Sequence, residues 1–186
     1  MIQQQAIEEC TTRLLEAIGE DPRRDGLRET PSRVAAMYRE IFQGLGRDPL
    51  DALTTGFQED HQEPVILRDI PFYSICEHHL LPFFGVAHLG YIPNGWVVGA
   101  SKLVRALETL ARRPQIQERL TRQLADSLFQ GLKPDGVAVV LTAEHLCMSM
   151  RGVRKPGTQI VTSAIRGSFQ TIPFNGKEFL KLVHKG

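Results

Sequence analysis

Two apolar stripes of helical period, set end to end in the middle of the chain, restrict the fold more than any other feature. Leu103, Val104, Leu107 and Leu110 recur at three- and four-residue spacing, and after Pro114 a second stripe carries Ile116, Leu120, Leu124 and Leu128. Upstream, PVILRDIPFYSIC and FGVAHLGYIP are β-branched and aromatic, and Asn94-Gly95 between Pro93 and Trp96 marks a turn. Downstream, Lys133-Pro134-Asp135-Gly136 reads as a turn, VAVVLTAEHLCMSM as one long strand and TQIVTSAIRGSF as another. A helix pair inserted between two strand pairs must bury its stripes against the sheet those strands form. The chain therefore reads as α+β, a mainly antiparallel sheet with the helix pair on one face.

Helices also precede the sheet. Ile7, Leu14, Leu15 and Ile18 share a face before Gly19, and Val34, Met37, Tyr38 and Ile41 follow ETPSR, where Thr30 before Pro31 suits a helix start. From Gly44 to Glu63 the residues are rich in Gly, Asp and Gln without a period, the pattern of a surface connection. This divides the chain into an N-terminal helical segment with its connection, 1–62, and a sheet domain, 63–186. A length of 186 residues suits one domain with an appendage and excludes two large ones.

Charge and cysteine usage narrow the function classes. Lys and Arg number 22 against 21 Asp and Glu, a net charge of +1, so no global field draws in nucleic acid or an anionic membrane. Any anion site must be local. No apolar run approaches the roughly 20 residues of a membrane span, and MIQQQAIEEC lacks the basic and apolar regions of a signal peptide, so a cytoplasmic location is expected. Cys10, Cys76 and Cys147 are too few for a disulfide framework, which makes reduced thiols the default.

Two of those thiols sit beside histidines. Cys76-Glu77-His78-His79 places a thiolate and an imidazole three residues apart, where a tight turn aims both at one ion, and His145 and Cys147, two apart in the long strand, project from one face. Thiolate with imidazole selects zinc over magnesium or calcium. Taken singly, each cysteine is a small core hydrophobe and each histidine a satisfied polar residue. The joint pattern favours a metal, because two of three cysteines and three of six histidines fall into these clusters. Three protein ligands would leave a position open for hydrolysis, whereas four would make the site structural. The adjacent His78 and His79 point apart, so one ligates while the other faces a substrate, and a spare histidine suits proton transfer near neutral pH.

A second constellation, Gly99-Ala100-Ser101-Lys102 with Arg105 one turn on, combines a helix start with a hydroxyl and two cations, which taken alone reads first as a solvated amphipathic helix start and otherwise as a local phosphate site. Arg151 adds another cation. Gln117 and Glu118 open the next helix, where a carboxylate can accept two hydrogen bonds from a guanine-type N1–H and exocyclic amine; taken alone, Glu118 reads first as a favourable first-turn acid.

FYSICEHHLLPFFG, GASKLVRALETLARRPQIQERLT and AEHLCMSMRGVRKPGTQIVTSAIRGSF, in that order and preceded by TPSRVAAMY, closely resemble the GTP cyclohydrolase I family from about Thr30 to Phe169. The resemblance implies the tunnelling fold for the 63–186 catalytic domain, with two stacked pentameric rings forming a homodecamer and active sites at subunit boundaries. It implies zinc on Cys76, His79 and Cys147, catalytic roles for His78 and His145, guanine reading by Gln117 and Glu118, and triphosphate contacts from Ser101, Lys102, Arg105, Arg151 and Arg33. The implied reaction hydrolyses GTP at C8, releases formate and rearranges the ribose to 7,8-dihydroneopterin triphosphate, the first step of folate and pterin biosynthesis.

Two positions depart from the family pattern: Ala100 stands where Leu commonly precedes Ser-Lys, and Ala36 where many members carry a triphosphate-binding Lys. Both bear on affinity more than on chemistry. The competing readings are a structural zinc or catalytically silent module with His145 as fourth ligand, and another tunnelling-fold enzyme acting on a pterin or deazapurine.

Overall fold

In the computed structural model, which describes residues 2–170 together with Phe179, two compact units divide between Gln43 and Gly44. The first holds helices α1 (Gln4–Ala17) and α2 (Thr30–Ile41), which pack on one another. Ala35 is buried there, and Thr11 turns its hydroxyl onto the Ile7 carbonyl at 2.7 Å. Helix α2 carries Pro31 in its first turn, where an absent N–H removes no helical bond. Of the apolar stripes read from the sequence, Leu14, Ile18 and Met37 are exposed.

The second unit contains strands β1 (Gly56–Gln58), β2 (Val65–Cys76), β3 (Pro82–Ile92) and β4 (Trp96–Val98), helix α3 (Ala100–Ala111), strand β5 (Pro114–Gln115), helix α4 (Gln117–Leu132), and strands β6 (Gly136–His145) and β7 (Gln159–Gly167). Five of the strands form one sheet in the order β5-β2-β3-β6-β7, and β1 with β4 forms a separate ribbon. The β2-β3, β3-β6 and β6-β7 pairings are antiparallel; β5 joins β2 in parallel at Ile75 and Cys76. The expected α+β class and antiparallel sheet are present. The calls on residues 171–178 and 180–186 of the 63–186 domain lie outside the described residues.

Both helical stripes reach the core. Leu103, Leu107 and Leu110 of α3 and Leu120, Leu124 and Leu128 of α4 are buried with Phe72, Phe83, Leu89, Val139 and Leu141 on one face of the sheet. Ala138 and Val140 point to the opposite face, against Phe169 and Phe179. Strand β6 is therefore covered on both sides, which explains why VAVVL reads as an unbroken apolar run instead of alternating. Lys133, at φ 48°, closes α4 by donating its backbone N–H to Phe129 O at 3.2 Å.

Three local expectations are corrected. The stretch from Gly44 to Glu63 is not simply a connection: Pro49–Leu53 forms a 3-10 turn capped by the Asp48 carboxylate, and Leu53 is buried in the main core. Its apolar anchors, Leu50 and Leu53, are too few to show a period among polar neighbours. The second helix does not include Ile116, because Pro114-Gln115 pairs with the end of β2 and α4 starts at Gln117. The strand read through Met150 ends at His145, and Leu146–Ser149 forms a short helical turn, α5.

Gly85 sits where β3 and β6 approach closely. A Cβ there would lie 1.9 Å from Thr142 O and 2.7 Å from Ala143 Cα, both backbone atoms of β6. Gly85→Ala must push β3 from β6, and a loss of about 1–3 kcal/mol in a denaturant melt is expected; an unchanged midpoint would show that the strands yield freely.

Candidate metal and catalytic site

The chemistry-bearing residues gather where several elements end. Strand β2 finishes at Cys76, β6 finishes at His145 opposite Phe83 near the start of β3, and α4 starts at Gln117 beside β5. Between β2 and β3 the chain makes a tight turn: Cys76 N–H donates to Leu81 O and Leu80 N–H to Cys76 O, both at 2.9 Å, with Leu80 at φ 52°. A leucine in the left-handed region is costly, and the turn's neighbours hold it there. This geometry brings Cys76 and His79 to one side.

Helical turn α5 carries Cys147 back to the same point. Cys147 does not continue the strand that ends at His145, so the two residues do not share a strand face as the sequence suggests. Cys76 Sγ and Cys147 Sγ are 3.9 Å apart, and with a His79 ring nitrogen these ligand atoms lie within 4.8 Å of one another. A tetrahedral zinc with 2.3 Å bonds to sulfur separates two sulfurs by about 3.8 Å. Two soft sulfurs and an imidazole at this spacing fit zinc. His78 and His145 stand outside that three-residue group among the described residues. His78 Nδ1 lies 3.9 Å from Cys76 Sγ, and its ring meets His79 edge-on at 81°. Burial raises the Cys147 thiol pKa, and the neighbouring Cys76 raises it further.

Residues that sequence reasoning did not single out tie the turn to the helices. Arg119 pairs with Glu77, inside the Cys-Glu-His-His turn, and its Nε donates to Gln115 Oε1 at 2.9 Å. The hydrogen bond from Arg119 holds the Glu77 carboxyl below its ordinary pKa. Gln115 is buried; its backbone oxygen accepts from Glu77 N–H at 3.0 Å and its side-chain amide donates to Leu110 O at 3.0 Å. An acid within a ligand turn, with a cation in a nearby first helical turn, is the sequence signal that marks such a clamp. On the other side, Glu144 accepts from Ser149 Oγ at 2.5 Å and from Gly157 N–H at 3.0 Å, closing the loop that carries Arg151. Arg151 Nη1 donates to His79 Nε2 at 3.0 Å.

His145 is buried, stacked on Phe83 with ring centroids 4.6 Å apart and planes 7° from parallel. Burial lowers its pKa, while the Glu118 charge acts in the opposite direction. His145 Nε2 meets Gln117 Oε1 at 2.8 Å, and Gln117 is itself fully buried. The Gln117 side chain is thus committed to the interior, while Glu118, on the same first turn, is exposed.

The phosphate candidates are not all at this end. Ser101 and Arg105 are exposed at the start of α3, and Lys102 is half-buried. It is the other end of α3 that adjoins β2, where Ser74 Oγ donates to Ala111 O at 2.7 Å. At 1.5 Å per residue, the ten residues from Ser101 to Ala111 span about 15 Å. Arg33 lies on α2 of the first unit.

The family description GTP cyclohydrolase I matches residues 7–184. A GTP cyclohydrolase 1 of Dehalococcoides mccartyi (strain BAV1) is 58% identical, with 100% of each chain covered. That of Geobacillus sp. (strain WCH70) is 58% identical over 95% of both chains. That of Halalkalibacterium halodurans is 55% identical over 98% of this chain and 97% of its own.

Proposed function

This chain belongs to the GTP cyclohydrolase I family, and from that membership we propose that it works as a zinc enzyme, hydrolysing GTP at C8 to release formate and form 7,8-dihydroneopterin triphosphate. The observation that carries the zinc dependence is the cluster of Cys76, His79 and Cys147, with His145, two residues before Cys147 in the chain, outside the ligand group. Incubation with GTP tests the activity: formate should appear together with a pterin that fluoresces after oxidation and dephosphorylation. Intact GTP after prolonged incubation of metal-loaded protein would favour a silent zinc module.

Bound at this cluster, zinc supplies a Lewis acid that makes water nucleophilic near neutral pH. The chain's own groups do the rest. Glu118 accepts hydrogen bonds from the purine N1–H and exocyclic amine and so orients C8. As water adds across C8=N7, His145 takes up the proton the water gives up and passes it to N7, and a second hydration frees formate. His78, exposed beside the cluster, moves protons during the sugar steps, in which the ribose opens, undergoes an Amadori rearrangement and closes onto the freed amine. Arg151, Ser101, Lys102, Arg105 and Arg33 bind the triphosphate, whose charge demands cations.

The complete site is shared between chains. Within one chain the start of α3 stands about 15 Å along the helix from the metal-side end, so a neighbouring copy is the better source of those phosphate contacts. Two further features support an assembly: β7 is an edge strand of nine residues with β6 as its one neighbour among the described residues, and Leu14 at 60% and Tyr73 at 71% exposure offer apolar surface. A homodecamer of two pentameric rings satisfies these needs. Sedimentation of active enzyme should show a species many times the mass of one 186-residue chain, and a fully active monomer would contradict the shared site.

A further inference from the structure

We propose that Gln117 is a positioning residue that locks His145 in its Nε2–H tautomer, leaving Nδ1 as the atom through which this histidine exchanges protons with the substrate. The second half of the statement rests on the cyclohydrolase reading; the first does not.

The neighbours of Gln117 fix which end of its amide is nitrogen, although its two N–H groups are shared among three acceptors. One terminal atom of its amide lies 3.1 Å from Leu141 O and 2.9 Å from Ile160 O. Carbonyl oxygens only accept, so this atom must be the nitrogen. The third neighbour of the nitrogen, Thr162 Oγ1 at 3.1 Å, is consistent. Thr121 Oγ1 donates to Gln117 O at 2.8 Å, which uses its one proton, so across the 2.6 Å contact between the two threonines Thr162 is the donor. Thr162 then has lone pairs left to accept from Gln117. The other terminal atom is therefore the amide oxygen, and it faces His145 Nε2 at 2.8 Å. An oxygen there requires a proton on Nε2.

The ring cannot escape this assignment by turning over. A flip would place a carbon against the Gln117 oxygen and leave that buried acceptor unpaired, and the parallel stack on Phe83 fixes the plane of the ring. The neutral imidazole thus keeps its lone pair on Nδ1. Gln117 shapes the reaction without touching the nucleotide through its side chain, in the manner of an outer partner that sets the tautomer of a working histidine.

The test has two readouts. Magic-angle-spinning NMR of the zinc-loaded enzyme with 15N-labelled histidines, His145 being identified by its loss in His145→Ala, should show Nε2 protonated and Nδ1 bare at pH 8; a protonated Nδ1 with bare Nε2 overturns the proposal, whatever the activity. Gln117→Met, of similar length but unable to accept, should mix the two tautomers and lower kcat about 10- to 100-fold, with zinc content and the KM for GTP near their original values. A rise in KM with kcat unchanged would overturn it too, because that result belongs to a side chain that binds the base. Should Gln117→Met not fold, Thr162→Val replaces it: the tautomer should stay Nε2–H, since both carbonyls still orient the amide, and a tautomer change there would contradict the directions assigned above.

Discussion

Cys147→Ser is expected to empty the metal site and stop formate release from GTP. A serine hydroxyl is nearly isosteric with the thiol but does not ionise at neutral pH, so the cluster keeps one thiolate and one imidazole. Structural zinc sites with four ligands gain about 10–16 kcal/mol in all, or roughly 3 kcal/mol per ligand, and losing one weakens binding by about 100-fold or more. Cys147 sits half-buried on the short α5 turn, so the fold should survive and circular dichroism should be unchanged. The wild-type site should also bind zinc more tightly as pH rises. Burial and the nearby Cys76 raise the Cys147 thiol pKa, so uptake must release a proton that low pH retains. A Cys147→Ser protein with stoichiometric zinc and normal turnover would remove this residue from the ligand set.

His145→Ala is expected to keep one zinc per chain and to lose about 10²- to 10⁴-fold in kcat, the range for a positioned general acid or base. The reason is spatial. The three ligand atoms lie within 4.8 Å of one another without His145, whose Nε2 is occupied by Gln117. Removing the ring leaves the Gln117 oxygen buried and unpaired and opens a void against Phe83, so some stability goes as well, about 1–3 kcal/mol. Single-turnover rates together with metal content separate the two effects. Zinc lost in step with activity would make His145 a fourth ligand and turn the site into a structural one.

Much of this site is legible in the chain itself, for identifiable reasons. The α3 and α4 stripes each face a single core, so their period survives in Leu103, Leu107, Leu120 and Leu124. The turn holding Cys76 and His79 is local, four residues long, and its ligand spacing shows directly in the sequence. Cys147 reaches the cluster through a bend that the sequence hides, because AVVLTAEHLCMSM carries no Gly or Pro to announce it after His145. The commitment of Gln117 could not be read at all: its partners lie 24, 43 and 45 residues away, on β6 and β7, and only the folded sheet brings them to one amide. The Arg119–Glu77 pair spans 42 residues and is hidden for the same reason.

The central claim, that zinc at Cys76, His79 and Cys147 drives hydrolysis of GTP, is tested most directly by stripping the enzyme with a chelator and restoring zinc in measured amounts while formate release is followed. The account predicts no formate from the stripped protein and a linear recovery that levels at one zinc per chain. Undiminished formate release from protein shown to be free of metal would contradict it.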